Sequence, residues 1–205
     1  MMQTINKSLL KNKFTYTWFI YPVAGIILTL IWLWSFPTFH QPSAHQKINV
    51  FFATDVRSEE FTDQILEKYD REQLREISPS YALPGSALYS QKLSIAIGNA
   101  DVLVLTKTQF EAYKKTDYGL FFAKVTSYIQ EKCQITENQV YDEYGITLKV
   151  NGESHYLEQY MTFAEDDYIL AFSIASTNLG SAIHEENAPY DNALTFAHYL
   201  IEGVQ

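Results

Sequence analysis

The chain contains very little cysteine, and this scarcity limits the ways in which its fold can be held together. Cys133 is the single cysteine among 205 residues, so an internal disulfide is excluded. Cys133 lies far from the apolar N-terminal run, and no cysteine comes directly after that run, which excludes a lipid attached at that place. An exported domain of this composition would depend on its hydrophobic core alone, as is more typical of bacterial cell surfaces than of animal secretory routes.

Sequence motifs for catalysis are also missing. The chain has no G-x-S-x-G elbow, no phosphate-binding P-loop and no H-E-x-x-H pair. Cys133 has no histidine near it in the sequence, and Glu165-Asp166-Asp167 are adjacent carboxylates rather than an opposed pair. The run His184-Glu185-Glu186 offers only one imidazole to a metal ion. We therefore expect no enzyme activity, no cofactor and no bound metal.

Charged side chains are absent from a long stretch near the N-terminus. None occurs between Lys13 and Lys47, and this stretch includes the apolar run Phe14 to Phe36. An α-helix needs about 20 mainly apolar residues to cross a hydrocarbon core of about 30 Å. Tryptophan and tyrosine lie near one end of the run and tryptophan near the other, where these rings favour the headgroup level of a bilayer. Residues 14–36 are therefore predicted to be a transmembrane anchor.

The charges around this run predict its orientation in a cell membrane. Lys7, Lys11 and Lys13 precede it without any acidic residue, and such positive flanks stay in the cytoplasm. We expect a single-pass signal anchor with residues 1–13 in the cytoplasm and the C-terminal domain outside. Two alternatives stay open: a cleaved signal peptide, which has a shorter apolar region and a small-residue cleavage site, and a core helix of a soluble protein.

The part of the chain after the apolar run is acidic. The whole chain carries a net charge of −9 and its first 40 residues carry +3, so the remainder carries −12. This charge repels nucleic-acid phosphates and anionic lipid headgroups, and we expect no nucleic-acid partner. Residues 37–46 contain two prolines and are predicted to be a spacer, which leaves residues 47–205 for one extracytoplasmic domain with its own core.

Predicted strands and helices alternate in the first half of this domain. Lys47 to Ala53 and Asp101 to Thr106 are apolar runs typical of buried strands, and Leu74 to Ser78 is a shorter one. Apolar spacing predicts helices that begin at about Ser58, Ser86 and Lys107. Successive strand–helix units of this kind imply a parallel sheet with right-handed crossovers.

The second half of the domain is predicted to contain a β-hairpin. Apolar and polar residues alternate up to Val150, and Asn151-Gly152 can supply the two positive φ angles of a type I′ turn. A hairpin over about 140–161 would place Leu148 opposite His155 and Ile146 opposite Leu157.

Other local signals set the remaining element boundaries. Gly98-Asn99 is expected to end the second helix in the left-handed conformation. A further helix is marked by apolar residues at positions 121–129, and Tyr168 to Ala175 is predicted to be another buried strand. Pro189 to Glu202 is predicted to be the last helix, with Gly203 at its end.

Polar side chains follow the predicted strands at their carboxyl ends. In an open parallel sheet, ligands bind beyond these ends, and helix N-termini there supply amide donors. The same residue types also serve in ordinary turns and helix caps, which remains the alternative. The candidate ligand-binding residues are Thr54, Asp55, Ser80, Tyr81, Thr106, Lys107, Ser176 and Thr177.

Three passages occur in an order that is typical of a known family. KINVFFATDV lies where that family has its first strand, and Tyr89 to Lys115 matches a helix that ends in glycine, a short Asp-led aliphatic strand and a further helix. YILAFSIASTN, followed by NALTFAHYLIEG, matches a closing strand and a C-terminal helix. In this order the chain resembles extracytoplasmic solute-binding proteins of the type II periplasmic-binding fold.

The resemblance implies an α/β fold with a reduced second lobe. Family members bind ligand in a cleft between two lobes, but only about 50 residues separate the third predicted helix from the closing strand here. We expect a single N-terminal transmembrane helix followed by a reduced periplasmic-binding-like domain with a mainly parallel sheet and a β-hairpin insertion.

The function implied by the resemblance is binding. The chain would be a membrane-anchored binding domain that acts through an integral membrane partner such as a transporter. The alternative is a true small-molecule receptor that delivers its ligand to a transporter. An exported hydrolase is a third possibility, which no motif supports.

Overall fold

The structure, a computed structural model, describes Trp18 and residues 20–69, 73–180 and 190–203. The chain divides into two compact units, Met1–Gln41 and Pro42–Gln205. The predicted cytoplasmic residues 1–13 and the first residues of the predicted anchor lie outside the described residues, as do residues 184–186.

The first unit contains the helix α1 (Ile20–His40). Its backbone covers most of the predicted anchor and continues through residues 37–40 of the predicted spacer. The large apolar side chains along α1 are exposed, with Leu28 at 66% and Trp34 at 78%. Among the residues described, no helix is both long and apolar enough to span a lipid bilayer.

The second unit alternates strands and helices. In chain order its elements are β1 (Lys47–Phe52), β2 (Asp55–Val56), α2 (Glu60–Lys68), β3 (Glu76–Tyr81), α3 (Tyr89–Asn99), β4 (Val102–Thr106), α4 (Lys107–Lys114), α5 (Ser127–Cys133), β5 (Gly145–Lys149), β6 (Met161–Thr162), β7 (Tyr168–Phe172) and α6 (Asn192–Glu202). Short 3-10 turns lie at 44–46, 117–121, 137–139 and 156–159. The succession β1–α2–β3–α3–β4–α4 confirms the predicted α/β class.

A five-stranded sheet forms the centre of the domain, in the order β3-β1-β4-β7-β5. β3, β1 and β4 are parallel to one another, whereas β7 is antiparallel to both β4 and β5. Four of the five strands therefore point in the same direction, which confirms a mainly parallel sheet. β2 and β6 pair separately as a small antiparallel ribbon.

Helices cover both faces of the sheet. Val50 and Phe52 face one core, which α2, α5 and α6 complete, and Phe51 faces the other core, with α3 and α4. All five residues of β4 and all five of β7 are buried, as their unbroken apolar sequences require. The two cores hold the strand ends in place, so the loops beyond them are carried on a rigid frame.

The predicted β-hairpin is wrong. β5 pairs with β7, where Ile146 lies opposite Leu170. The chain after the turn forms a 3-10 turn at 156–159 and then pairs with β2. Gly152 has a φ of +83°, but Asn151 does not have a positive φ, so the turn lacks the two positive φ angles of type I′. The aliphatic strand β7 needs a neighbour on both sides, and β5 provides the second one.

Several predicted boundaries also shift. α3 continues through Gly98 and Asn99, because Gly98 keeps a helical backbone and Ala100 ends the helix in an extended conformation. β3 continues through Pro79, which is tolerated because β3 is an edge strand. The helix expected across positions 121–129 begins only at Ser127. Gly203 ends α6 with a φ of +84°, as predicted.

Candidate functional site

The reversed direction of β7 separates the candidate ligand-binding residues into two groups. Six of them lie at the carboxyl edge of the parallel strands: Thr54, Asp55, Ser80, Tyr81, Thr106 and Lys107. Ser176 and Thr177 follow β7 and lie at the opposite edge, where Ser176 contacts Asp101 just before β4. The eight residues are therefore not brought together in one site.

Thr54 and Asp55 lie where β1 leads into β2. The buried hydroxyl of Thr54 donates a hydrogen bond to the main-chain oxygen of Thr162 at 2.5 Å. Asp55 is exposed and pairs with Thr162 in the β2–β6 ribbon. Thr54 therefore connects the central sheet to the ribbon. Of these two side chains, only that of Asp55 is exposed to solvent.

Ser80 and Tyr81 end the edge strand β3. The ring of Tyr81 stacks on Phe52 with 5.5 Å between the ring centroids. Its hydroxyl is buried without a hydrogen-bond partner among the described residues, and burial raises the pKa of Tyr81 above its usual value. Tyr81 therefore belongs to the margin of the core, whereas Ser80 lines a shallow pocket of about 230 Å³.

Thr106 and Lys107 begin α4. The hydroxyl of Thr106 caps the helix by accepting a hydrogen bond from the amide of Gln109 at 3.3 Å. The ammonium of Lys107 donates to the carboxylate of Asp167 at 2.9 Å, and this bond raises the pKa of Lys107. The amide of Asn151 also donates to Asp167, at 2.8 Å, and together with Lys107 it lowers the pKa of that carboxyl. Asp167 thus joins the start of α4 to the loop after β5 at this edge.

At the opposite edge, Asp101 is the centre of a buried hydrogen-bond network. Its carboxylate accepts hydrogen bonds from the Asn49 amide at 2.8 Å, the Ser176 hydroxyl at 2.5 Å and the Asn178 side chain at 3.1 Å. Burial raises the pKa of Asp101 despite these bonds. The network borders a cleft of about 350 Å³ that Thr177 also lines, and it fastens the loop after β7 to the beginnings of β1 and β4.

A larger pocket, of about 510 Å³, lies at the carboxyl edge between the β2–β6 ribbon and the loop after β5. We call it the Arg57–Lys149 pocket. The side chains that bring charge or hydrogen-bonding groups to its lining include Arg57, Lys149, Asn151, Glu153, Glu158 and Glu165. None of these residues belongs to the set expected from the sequence.

Lys149 is the most buried of these charged side chains, with 6% exposure. Its ammonium lies 3.3 Å from a carboxylate oxygen of Glu158 and donates to the main-chain oxygen of Val150 at 3.4 Å. The Phe163 ring centroid is 5.7 Å away. In the alternation of apolar and polar residues before Val150, Lys149 occupies a polar position, which predicts exposure to solvent. The sequence pattern therefore did not predict that Lys149 is buried.

Arg57 reaches the same pocket from the end of β2. Its Nε donates to the hydroxyl of Thr162 at 2.9 Å, and Nη1 donates to the main-chain oxygen of Glu158 at 3.4 Å. No carboxylate among the described residues pairs with this guanidinium. The one signal in the sequence that could have identified Arg57 is its place just after the first predicted strand, where the strand-end rule applies.

The described residues offer no cluster of three or more His, Cys, Asp or Glu side chains that could hold a metal ion. Cys133 is buried, and this burial raises the pKa of its thiol to about 12, so little reactive thiolate forms at neutral pH. Among the described residues, the arrangement can therefore hold charged groups by hydrogen bonds and ion pairs.

Comparison with known proteins leaves the family of the chain open. No protein-family model matches it, and neither a curated protein sequence nor a solved structure is significantly similar to it. The resemblance to extracytoplasmic solute-binding proteins therefore stays a prediction from sequence motifs, and a proposal of function has to come from the geometry of the chain itself.

Proposed function

We propose that the protein is a single-pass, membrane-anchored binding domain that lies outside the cytoplasm and acts through a membrane-protein partner such as a transporter. The observation that carries this proposal is the exposure of large apolar side chains along α1, in a stretch without any charged residue. The N-terminus would lie in the cytoplasm, as the lysines before residue 14 indicate.

The exposed side chains of α1 favour a lipid environment. A helix that is apolar on all sides is normally buried, and full burial of each large apolar side chain is worth about 1.5–3 kcal/mol. The polar side chains Thr29 and Ser35 donate their hydroxyls to main-chain oxygens one turn earlier, so they present no unpaired donor. The proposed span begins at Phe14, outside the described residues, and residues 14–36 would measure about 35 Å as a helix.

The form of the second unit supports a binding role. Its mainly parallel sheet has a pocket at the carboxyl edge, where open α/β sheets hold their ligands. The chain shows no catalytic motif, and two of its lysines at this edge, Lys107 and Lys149, are held in ion pairs. The order of strands and helices from β1 to α4 is the one that the resemblance to solute-binding proteins implies.

A protein partner is supported by what surrounds this edge. The segment between α4 and β7 adds one helix, short turns and two strands, and β5 joins the central sheet rather than forming a second lobe. A site with one wall leaves much of a small ligand exposed, and a partner could provide the second wall. Leu83 and Leu88, which lie between β3 and α3, are exposed, and exposed apolar side chains are common at protein contacts.

A second candidate function is a small-molecule receptor in its own right. The size and buried cation of the Arg57–Lys149 pocket favour this possibility. Both functions place the domain outside the membrane, and they differ in whether ligand binds in the absence of a partner.

The anchor is tested by washing membranes from cells that express the full chain with alkaline carbonate. We expect the unmodified chain to stay in the membrane pellet. Substitution of Leu28→Lys together with Ile31→Lys should release it, since each lysine at the centre of a span costs about 2.5–3.5 kcal/mol. The control Leu120→Lys, at a residue that is 77% exposed in the second unit, should not change the distribution. Release of the unmodified chain would contradict the anchor.

The partner is tested by affinity purification of the full chain from its native membranes in a mild detergent. We expect an integral membrane protein to co-purify in a stoichiometric amount. Purification of the chain alone, from membranes in which it is retained after the carbonate wash, would contradict the partner-dependent function and favour the receptor.

A further inference from the structure

We infer that the Arg57–Lys149 pocket binds a small zwitterion, a molecule that carries both a carboxylate and an ammonium group. The inference rests on the binding role proposed above and specifies its ligand. It does not depend on the membrane anchor, because every residue involved lies in the unit Pro42–Gln205.

The pocket has the position and size of a small-molecule site. β5 points in the same direction as β1, so Lys149 at its end and Arg57 beyond β2 meet at the carboxyl edge of the sheet. Its volume of about 510 Å³ falls within the range of about 300–1,000 Å³ that is usual for such sites.

One of the two cations of the pocket has no carboxylate partner among the described residues. A buried ammonium requires compensation by an opposite charge, and Lys149 has one, Glu158, at 3.3 Å. Arg57 contacts Glu158 only through the main-chain oxygen of that residue, so the Glu158 carboxylate does not form an ion pair with the guanidinium. The hydrogen bonds to Thr162 and Glu158 hold the guanidinium in place and leave other N–H groups free to bind a carboxylate, which arginine does in a bidentate manner. A ligand carboxylate would pair with the guanidinium of Arg57.

Acidic side chains oppose a ligand that carries only negative charge. Glu153 and Glu165 line the same pocket, and neither forms an ion pair with another described residue. The part of the chain after residue 40 also carries a net charge of −12, which disfavours dianions generally. An ammonium group on the ligand would instead be attracted to these two carboxylates. The charges of the pocket therefore match a zwitterion better than a dicarboxylate or a diamine.

The inference is tested by thermal unfolding of the full chain in a mild detergent. The probes are L-alanine, L-alanyl-L-alanine and 4-aminobutyrate, compared with succinate and 1,4-diaminobutane. At about 100 times its dissociation constant, a ligand should raise the Tm by about 5–10 °C for a domain of this size. We expect at least one zwitterion to produce such a shift and expect succinate and 1,4-diaminobutane to produce none.

Two variants connect the shift to the pocket. Arg57→Gln removes an exposed guanidinium, so the variant should fold, and Lys149→Met keeps the side-chain volume but removes the charge. We expect each variant to bind the zwitterion at least tenfold more weakly. The control Lys124→Gln, at an exposed lysine that does not line the pocket, should leave the dissociation constant unchanged.

Three results would overturn the inference. The first is that no zwitterion raises the Tm of the unmodified chain, and the second is that the shift in Tm persists in Arg57→Gln. The third is that succinate or 1,4-diaminobutane raises the Tm as much as a zwitterion does. If the chain resists carbonate extraction but no zwitterion raises its Tm, the ligand site is contradicted and the membrane anchor is not. The ligand-site proposal and the anchor proposal can therefore fail independently.

Discussion

Gly145, at the start of β5, packs against the side chains of two buried neighbours. A Cβ atom at this position would lie 2.6 Å from a methyl group of Ile169 and 2.9 Å from the ring of Phe110. Because both neighbours are fully buried in the core, they cannot move aside easily. We predict that Gly145→Ala lowers the free energy of unfolding by about 1–3 kcal/mol, measured by urea denaturation.

Gly98 provides the matched control, because its backbone is helical and a Cβ atom added there would have no neighbouring atom within 4 Å. Gly98→Ala should raise the free energy of unfolding by about 0.5–1 kcal/mol, since alanine is the better residue inside a helix. If Gly98 ended the helix in the left-handed conformation, as the sequence alone predicts, the same substitution would instead destabilise the domain.

Asp101 is predicted to make stability depend on pH. Burial raises the pKa of its carboxyl in the folded state, so the folded chain binds a proton more readily than the unfolded chain does. The stability that protonation contributes is complete below the unfolded pKa of about 3.9 and is lost as the pH rises through the folded pKa. The unfolding free energy of the unmodified chain minus that of Asp101→Asn should therefore increase as the pH falls from 7 towards 4.

The subtraction matters because other carboxyls act in the opposite direction. The pKa of Asp167 and that of Glu76 are lowered in the folded chain, so their contributions are lost at low pH in both proteins and cancel. At pH 7 the variant should be less stable by about 1–3 kcal/mol, because its amide nitrogen would face the donating amide of Asn49. A pH-independent difference would contradict the role of burial at Asp101.

Individual site residues were predictable only where a local rule applied. Thr106 and Lys107 follow an aliphatic strand, and the structure places them at its carboxyl end, at the start of α4. Their partner Asp167 lies 60 residues away in sequence, and no local pattern joins it to Lys107. The burial of Lys149 depends on Glu158 and on the ribbon, which come together only in the folded chain.

At the scale of elements, the turn at Asn151-Gly152 shows how a strong local signal can be misleading. The pair is typical of a hairpin, yet a hairpin would have left one side of β7 without a partner. Ile146 instead pairs with Leu170 of β7, and both Ile146 and Leu148 are buried in the core. Pairing over long range therefore overrides the turn, as it commonly does for strand assignments.

The observed turn makes a specific prediction for these two positions. Gly152 has a φ of +83°, so Gly152→Ala should lower the free energy of unfolding by about 1 kcal/mol. Asn151 does not need a positive φ, so Asn151→Ala should change stability by less than about 0.5 kcal/mol. Equal losses in the two variants, measured by denaturation, would indicate a type I′ turn and contradict the structure.

The direction of β7 could not have been predicted from its sequence. An aliphatic run buried on both faces has the same composition in parallel and antiparallel pairings. The direction follows from the connection: the main-chain amide of Lys107 donates to the oxygen of Asp167, so β7 begins beside the end of β4 and runs back along it. The α/β class and the parallel strands β1, β3 and β4, by contrast, follow from local strand–helix alternation.

At the scale of the whole molecule, the charge is divided unevenly along the chain. The first 40 residues carry +3 and the remainder carries −12, with the uncharged stretch between Lys13 and Lys47 at the junction. This division matches a chain whose basic end stays in the cytoplasm while the acidic domain is exported. It also explains why a site for a carboxylate would need the local cations of the Arg57–Lys149 pocket.

The orientation of the chain in the membrane is tested most directly by cysteine labelling in intact cells. Cys133 is buried and its raised pKa keeps it unreactive, so the native chain gives a low background. Lys124→Cys places a thiol at an exposed position of the second unit, and Ser8→Cys places one before the proposed span. A membrane-impermeant maleimide should label Lys124→Cys in intact cells and Ser8→Cys only after permeabilisation. Labelling of Ser8→Cys alone in intact cells, or of neither variant before permeabilisation, would contradict an anchored domain outside the cytoplasm.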